Sequence, residues 1–113
     1  MKESPKTQPR LTDPHSVSNT LDAETSARII ERLEIRGKDL VFRELFQCFF
    51  EHLYGCEHVL EIGCGTGVVL RSLIKDPLFK GRVTGLDLSA AFIGAANRLA
   101  AEEGLPVERI SFA

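Results

Sequence analysis

The sequence predicts an α/β fold of the Rossmann-like type, a parallel sheet with helices on both faces. Three observations lead to this prediction. After residue 57, short apolar runs with β-branched residues alternate with stretches of helical periodicity. A glycine-rich turn follows the first short run, and a carboxylate ends the second. Such alternation is typical of parallel strands joined by helices. The predicted order of elements is two helices followed by three strands with helices between them (βαβαβ).

The region before the first strand divides into a tail and two helices. Residues 1–20 hold three prolines among polar and charged residues, which predicts a disordered tail because too little apolar surface is available for burial. Residues 21–56 carry two helical patterns, of which the first runs from about Asp22 to Arg36 and stops at Gly37. The second is a broad apolar stripe, predicted to face the core, made of Val41, Phe42, Leu45, Phe46, Phe49, Phe50 and Leu53.

The remaining segment, residues 57–113, carries the alternating pattern. The run "HVLEI" is predicted to be a buried parallel strand, "GVVLRSLIK" a helix and "RVTGLDL" a second strand. Ser89 is a suitable N-cap for the helix "AAFIGAANRLAAEE", and Gly104 suits the end of that helix. A third strand begins within "ERISFA".

The loop "GCGTG" follows the first strand at its carboxyl end, where open α/β sheets bind ligands. Gly63 and Gly65 can adopt backbone angles barred to other residues, Gly67 lets the next helix start close to the sheet, and Cys64 is a small spacer. A P-loop is excluded because the loop has no lysine. The dinucleotide pattern G-x-G-x-x-G also fails, since Val68 stands at its sixth position. A tight turn without a ligand is the alternative.

Two carboxylates accompany this loop. Glu61 stands two residues before the first glycine, where it suits a positively charged ligand better than a pyrophosphate. Asp87 ends the second strand, where a carboxylate can accept hydrogen bonds from both hydroxyls of a ribose. Capping of the helix that begins at Ser89 is the alternative role for Asp87. S-adenosylmethionine is a ligand that carries both a ribose and a positive centre.

The runs "VLEIGCGTG" and "VTGLDLS" resemble the first motif and the following motif of class I S-adenosylmethionine-dependent methyltransferases. The resemblance covers residues 58 to about 112, so that 57–113 would be a partial S-adenosylmethionine-binding domain. It implies a cofactor site made of Glu61, Gly63, Cys64, Gly65, Gly67, Asp87 and Leu88.

The resemblance also implies a role for each part of this site. The first two glycines would pass beneath the methionine part of the cofactor. Glu61 would orient the loop and the cofactor's amino group, Asp87 would hold the ribose, and Leu88 would pack against the adenine. No residue is predicted to act as a catalytic base.

The resemblance is to the N-terminal portion of the family's domain. The family has a seven-stranded sheet, whereas this sequence supplies the first three strands. The acidic residue after the third strand and the motif after the fourth strand have no counterparts here. We therefore expect a truncated form of the domain, or one half of a split enzyme.

Three functions follow as hypotheses. The first is a methyltransferase that acts on a small-molecule acceptor. The second is a non-catalytic fragment that needs a partner chain to complete the sheet, and the third is an NAD-dependent oxidoreductase.

The composition of the chain limits the kinds of partner that it is expected to bind. The net charge of −2 and the dispersed Lys and Arg residues predict no nucleic-acid ligand. No run approaches the ~20 apolar residues of a membrane span, and the N-terminus lacks a signal-peptide pattern, so we expect a cytoplasmic protein. The Cys and His residues between 48 and 58 lack zinc-site spacing, which predicts no metal.

Overall fold

A computed structural model describes residues 22–113 of the chain. It contains the predicted elements in the predicted order, so the α/β Rossmann-like fold with two helices before the first strand is confirmed. The elements are α1 (Ala23–Gly37), α2 (Leu40–Phe50), β1 (His58–Ile62), α3 (Val68–Lys75), β2 (Arg82–Leu86), α4 (Ala90–Glu102) and β3 (Ile110–Phe112). The predicted tail, 1–20, lies outside the described residues. None of the four helices is long and apolar enough to cross a membrane.

The three strands form one parallel sheet in the order β1-β2-β3. In the register between β1 and β2, Glu61 lies opposite Gly85 and Ile62 lies opposite Leu86. Both strands therefore end at the same edge of the sheet. This pairing brings the glycine-rich loop after β1 next to Asp87, which directly follows β2.

Local capping explains where the helices begin. Ser89 accepts a hydrogen bond from the Phe92 backbone N–H at 3.1 Å, as its predicted N-cap role requires. The Asp22 carboxylate accepts from the Thr25 N–H at 2.7 Å, and Asp39 accepts from the Val41 N–H at 2.8 Å. These bonds satisfy N–H groups that would otherwise lack partners in the first turn of each helix.

Strand β1 is less buried than the sequence predicts. Leu60 and Ile62 are 56% and 73% exposed, while Val59 and Glu61 on the opposite face are half-buried. The prediction of a strand buried on both faces was wrong. Among the described residues, β1 lies at the edge of the sheet, and the face carrying Leu60 and Ile62 has little cover.

Helix α2 buries only part of its apolar stripe. Phe46 and Phe50 lie in the core, and Phe42 and Leu53 pack against it. The remaining members, predicted to face the core, are exposed: Val41, Leu45 and Phe49. That part of the prediction was wrong, because apolar residues in successive pairs span a wider arc than the one face with which α2 contacts the core.

Two glycines offer a matched test of this fold. Gly67 has a φ of +80°, and an added Cβ would collide with the Phe112 ring. Gly94 lies within α4, where an added Cβ would meet nothing within 4 Å. We expect Gly67→Ala to lower the free energy of unfolding by about 3 kcal/mol, from the left-handed backbone and the overpacking together. Gly94→Ala should raise it by ~0.5–1 kcal/mol, since alanine favours helix.

Urea unfolding of the two variants and the wild-type chain measures both changes. A Gly67→Ala variant as stable as the wild type would contradict the close contact between the loop and β3.

Candidate functional site

A cavity of about 680 Å³ opens at the carboxyl ends of β1 and β2. Its volume lies within the ~300–1,000 Å³ that is common for small-molecule sites. Helices α1 and α2 cover one side of the cavity, and the glycine-rich loop and the start of α3 form another. Six of the seven site residues predicted from the sequence line it: Glu61, Gly63, Cys64, Gly65, Asp87 and Leu88.

The loop owes its shape to glycine. Gly63, Gly65 and Gly67 have φ angles of +75°, +60° and +80°, in the left-handed region that other residues rarely adopt. The backbone N–H groups of Gly63 and Cys64 both donate to the Leu86 carbonyl, at 2.7 and 2.9 Å. An added Cβ on Gly63 would meet nothing within 4 Å, so this part of the backbone faces open space.

Gly67 is the seventh predicted site residue, and it does not line the cavity. It is the N-cap of α3 and is buried against Phe112 of β3. Glycine is required at this position because α3 begins so close to the sheet that a Cβ would collide with the Phe112 ring.

Asp87 joins the loop to the start of α4. Its Oδ2 accepts a hydrogen bond from the Gly65 N–H at 2.8 Å, and its Oδ1 accepts from the Ser89 N–H at 2.9 Å. Each carboxylate oxygen has two lone pairs, so both can accept a further bond from a ligand. Asp87 therefore shapes the loop and remains able to bind hydroxyl groups in the cavity.

Glu61 is the electrostatically unusual group of the site. Its Oε1 is buried and has no hydrogen-bond partner among the described residues. Burial, and then the negative charge of Asp87, raise the pKa of the Glu61 carboxyl to about 7. A buried polar atom without a partner is costly, and the cost falls when a donor is supplied. The site is therefore suited to a ligand that brings a cationic hydrogen-bond donor to Glu61.

Cys64 does not have the character of a nucleophile. Burial raises the pKa of its thiol to about 12, with further contributions from Glu61 and Asp87. The thiol is therefore protonated at neutral pH, and the thiolate is the reactive form of cysteine. Its Sγ occupies space next to Gly85, where an added Cβ would lie 2.7 Å from the sulfur. These features agree with the spacer role predicted from the sequence.

The first two helices contribute residues that the sequence did not indicate. Arg36 of α1 is the one cation among the described residues that line the cavity, and its guanidinium lies 5.5 Å from the centre of the Phe42 ring. Leu33, Phe42 and Phe46 add apolar walls from α1 and α2. No local motif marks these positions, because only the folding of α1 and α2 over the loop brings them to the site.

Part of this chain is similar to a known protein family. Residues 59–113 match a protein family described as "Methyltransferase domain". No curated protein sequence is similar enough to the chain to count as a match.

Three solved structures are similar in fold and sequence. The 4+2 cyclase SpnF is 29% identical with a TM-score of 0.53 over 62% of this chain. A protein solved in work on the conversion of a disulfide bond into a thioacetal group during echinomycin biosynthesis is 30% identical with a TM-score of 0.51 over 61% of this chain. The methyltransferase domain of bacterial CtHen1-C is 27% identical with a TM-score of 0.50 over 62%.

The chain spans a limited part of each of these proteins. The matched regions cover 26% of the cyclase chain, 26% of the echinomycin-related chain and 36% of the CtHen1-C domain.

Proposed function

We propose that this chain forms the cofactor-binding part of an S-adenosylmethionine-dependent methyltransferase, and the match of residues 59–113 to a methyltransferase-domain family supports the proposal. The observation that carries the proposal is the buried oxygen of Glu61 near the end of β1, which has no hydrogen-bond partner in residues 22–113. An ammonium group is the donor that such a carboxylate favours, and a cofactor with a methionine part brings one.

The other lining residues support the same ligand. Asp87 has acceptor capacity for the two ribose hydroxyls, and Leu88 offers an exposed apolar side chain beside it for the adenine. Gly63 leaves the backbone open, since an added Cβ there would meet nothing within 4 Å, and the methionine part is proposed to lie against it. Arg36 supplies the positive charge that the cofactor's carboxylate would need.

S-adenosylmethionine held by these residues would supply a methyl group on a positively charged sulfur, and the acceptor nucleophile would bond to the methyl carbon as the carbon–sulfur bond breaks and S-adenosylhomocysteine leaves. The residues of this chain bind and orient the cofactor, and the apolar walls exclude water from it. Alignment of the reacting groups can supply effective molarities of up to ~10⁵–10⁸ M, so a general base is not required for an acceptor that is already a good nucleophile.

The cavity also suggests the class of acceptor. Phe42, Phe46 and Val69 contribute apolar surface to the cavity. An apolar small molecule suits such walls better than a nucleic acid, which would need a basic surface. The acceptor is therefore proposed to be a small, largely apolar compound.

A partner-completed fragment is the second candidate function. The exposed Leu60 and Ile62 on β1 favour it, because apolar side chains at a sheet edge are suited to contact with another chain. Measurement of methyl transfer and of molar mass in the same preparation separates the two candidates. Activity of a monomer would contradict the second.

The cofactor assignment is tested by calorimetric titration of the 113-residue chain with S-adenosylhomocysteine and, separately, with NAD. We expect saturable one-to-one binding of S-adenosylhomocysteine and no heat of binding with NAD. Binding of NAD alone would favour the oxidoreductase hypothesis. Binding of neither ligand would contradict the proposed function.

A further inference from the structure

A buried ion cluster lies behind the glycine-rich loop, and we call it the Arg71 cluster. It consists of Arg71, Glu34, Glu103 and the loop residue Thr66. The Arg71 side chain is 4% exposed, and its Nη2 donates to both carboxylate oxygens of Glu34 at 2.7 Å. Its Nη1 donates to Glu103 at 2.7 Å, and its Nε donates to the Thr66 carbonyl at 3.2 Å.

Every nitrogen of the guanidinium thus has a partner on a different part of the fold. Glu34 belongs to α1, Thr66 to the loop, and Glu103 is the C-cap of α4. A buried ion pair contributes little net stability compared with apolar side chains of the same volume, whereas its geometry is specific. The planar guanidinium fixes the direction of each partner. The Arg71 cluster therefore specifies how α1, the loop and α4 lie relative to one another.

Glu34 holds the loop directly as well as through Arg71. The Thr66 hydroxyl donates to Glu34 Oε2 at 2.5 Å. The neighbouring Leu33 lies 3.4 Å from where a Cβ on Gly65 would be, and Gly37 is in close contact with Val68 at the start of α3. One face of α1 therefore lies along the loop, with Glu34 as its polar attachment.

We infer that Glu34 and Arg71 are positioning residues of the cofactor site, holding α1 and the loop from Gly63 to Gly67 in the binding arrangement before the cofactor arrives. The inference rests on the proposed function. A loop with three glycines has more backbone freedom to lose than a loop of the same length without glycine. Binding is weaker when the ligand must order the loop itself, so a loop held in advance raises the affinity.

The test compares two isosteric variants, Glu34→Gln and Glu103→Gln. Each removes one negative charge from the Arg71 cluster, but Glu34 accepts a hydrogen bond from the loop residue Thr66, whereas Glu103 pairs with Arg71 and Lys75 of α3. Calorimetry with S-adenosylhomocysteine should give an affinity about tenfold lower for Glu34→Gln, and a clearly smaller change for Glu103→Gln. Equal affinities of the two variants would overturn the inference.

Amide hydrogen exchange in the unliganded chain gives an independent readout. The amides of Gly65 and Gly67 donate to Asp87 and to the Cys64 carbonyl, so both should be protected in the wild-type chain. Glu34→Gln should speed their exchange while β2 keeps its protection. Unchanged exchange at both glycines would overturn the inference even if the affinity fell.

Two further outcomes are decisive. If Glu34→Gln does not fold, Arg71→Lys takes its place, because lysine keeps the charge but lacks the planar guanidinium whose separate nitrogens reach Glu34, Glu103 and Thr66. Wild-type affinity in that variant would overturn the inference. If the wild-type chain does not bind S-adenosylhomocysteine, the proposed function fails. If it binds and Glu34→Gln binds equally well, only the positioning role fails.

Discussion

Replacement of Asp87 by alanine is expected to lower the affinity for S-adenosylhomocysteine by at least about 100-fold, because hydrogen bonds to a charged group contribute ~1.5–3 kcal/mol each and two are proposed to reach the ribose. The same change releases the Gly65 and Ser89 amides, which now donate to this carboxylate. The loop and the start of α4 would both lose a constraint. Calorimetry of the variant against the wild-type chain measures the loss.

Asp76→Ala is the matched control for this variant. The Asp76 carboxylate accepts from the Leu78 N–H at 3.0 Å, as Asp87 accepts from Ser89, and also from the Tyr54 hydroxyl at 2.6 Å. It lies outside the cavity at the end of α3. Asp76→Ala should therefore lower the free energy of unfolding without a comparable loss of affinity. An Asp87→Ala chain that binds as tightly as the wild type would contradict the ribose assignment.

Replacement of Glu61 by glutamine should change cofactor binding and stability in opposite directions. The pKa of the Glu61 carboxyl is about 7 in the folded chain, above its usual value of 4.5. A pKa raised by folding contributes stability that is complete below pH 4.5 and is lost as the pH rises through 7. Glutamine carries no charge at any pH, so Glu61→Gln should be more stable than the wild type at pH 8 and lack this slope.

Binding should show the reverse dependence, because the ammonium group requires the ionised carboxylate. The wild-type affinity for S-adenosylhomocysteine should rise by up to about tenfold per pH unit below pH 7 and level off above it. Glu61→Gln should bind at least about tenfold more weakly at pH 8, with no such dependence attributable to this position. Thermal unfolding and calorimetry at about pH 5.5, 7 and 8, which lie below, at and above the pKa of Glu61, measure both properties.

Parallel pH profiles of the wild-type chain and Glu61→Gln would contradict the assignment of the titrating group to Glu61. A variant that binds normally at pH 8 would contradict the ammonium contact. Destabilisation at pH 8 would mean that Glu61 has a donor partner in the folded chain.

Several features of the fold and site were predictable because they depend on neighbours in the sequence. The N-cap bond from Phe92 to Ser89 spans three residues, and the left-handed angles of the loop need nothing more than glycine at three positions. Parallel pairing then places Asp87 beside the loop, because strands joined by a helix end at the same edge of the sheet. Local rules and one topological rule thus predicted the outline of the proposed cofactor site.

Burial was harder to predict, as β1 and α2 show. Apolar side chains at Leu60 and Val41 carry the same pattern as those that reach the core, yet both are exposed. Apolar periodicity identifies the face of a strand or helix that can be buried. Whether that face is buried depends on elements from elsewhere in the chain that pack against it.

The sequence by itself determined the order of elements, the glycine-dependent turn and the two carboxylates that point to a nucleoside with a positive centre. Only the tertiary structure decided that Glu61 Oε1 is buried with no partner in the described part of the chain, that Arg36 reaches the cavity, and that Glu34 meets Arg71 across 37 residues of chain. The physical reason is that desolvation and ion pairing depend on which distant groups share a volume. Backbone angles and helix caps depend on residues that are close in the sequence, so the sequence alone is enough to predict them.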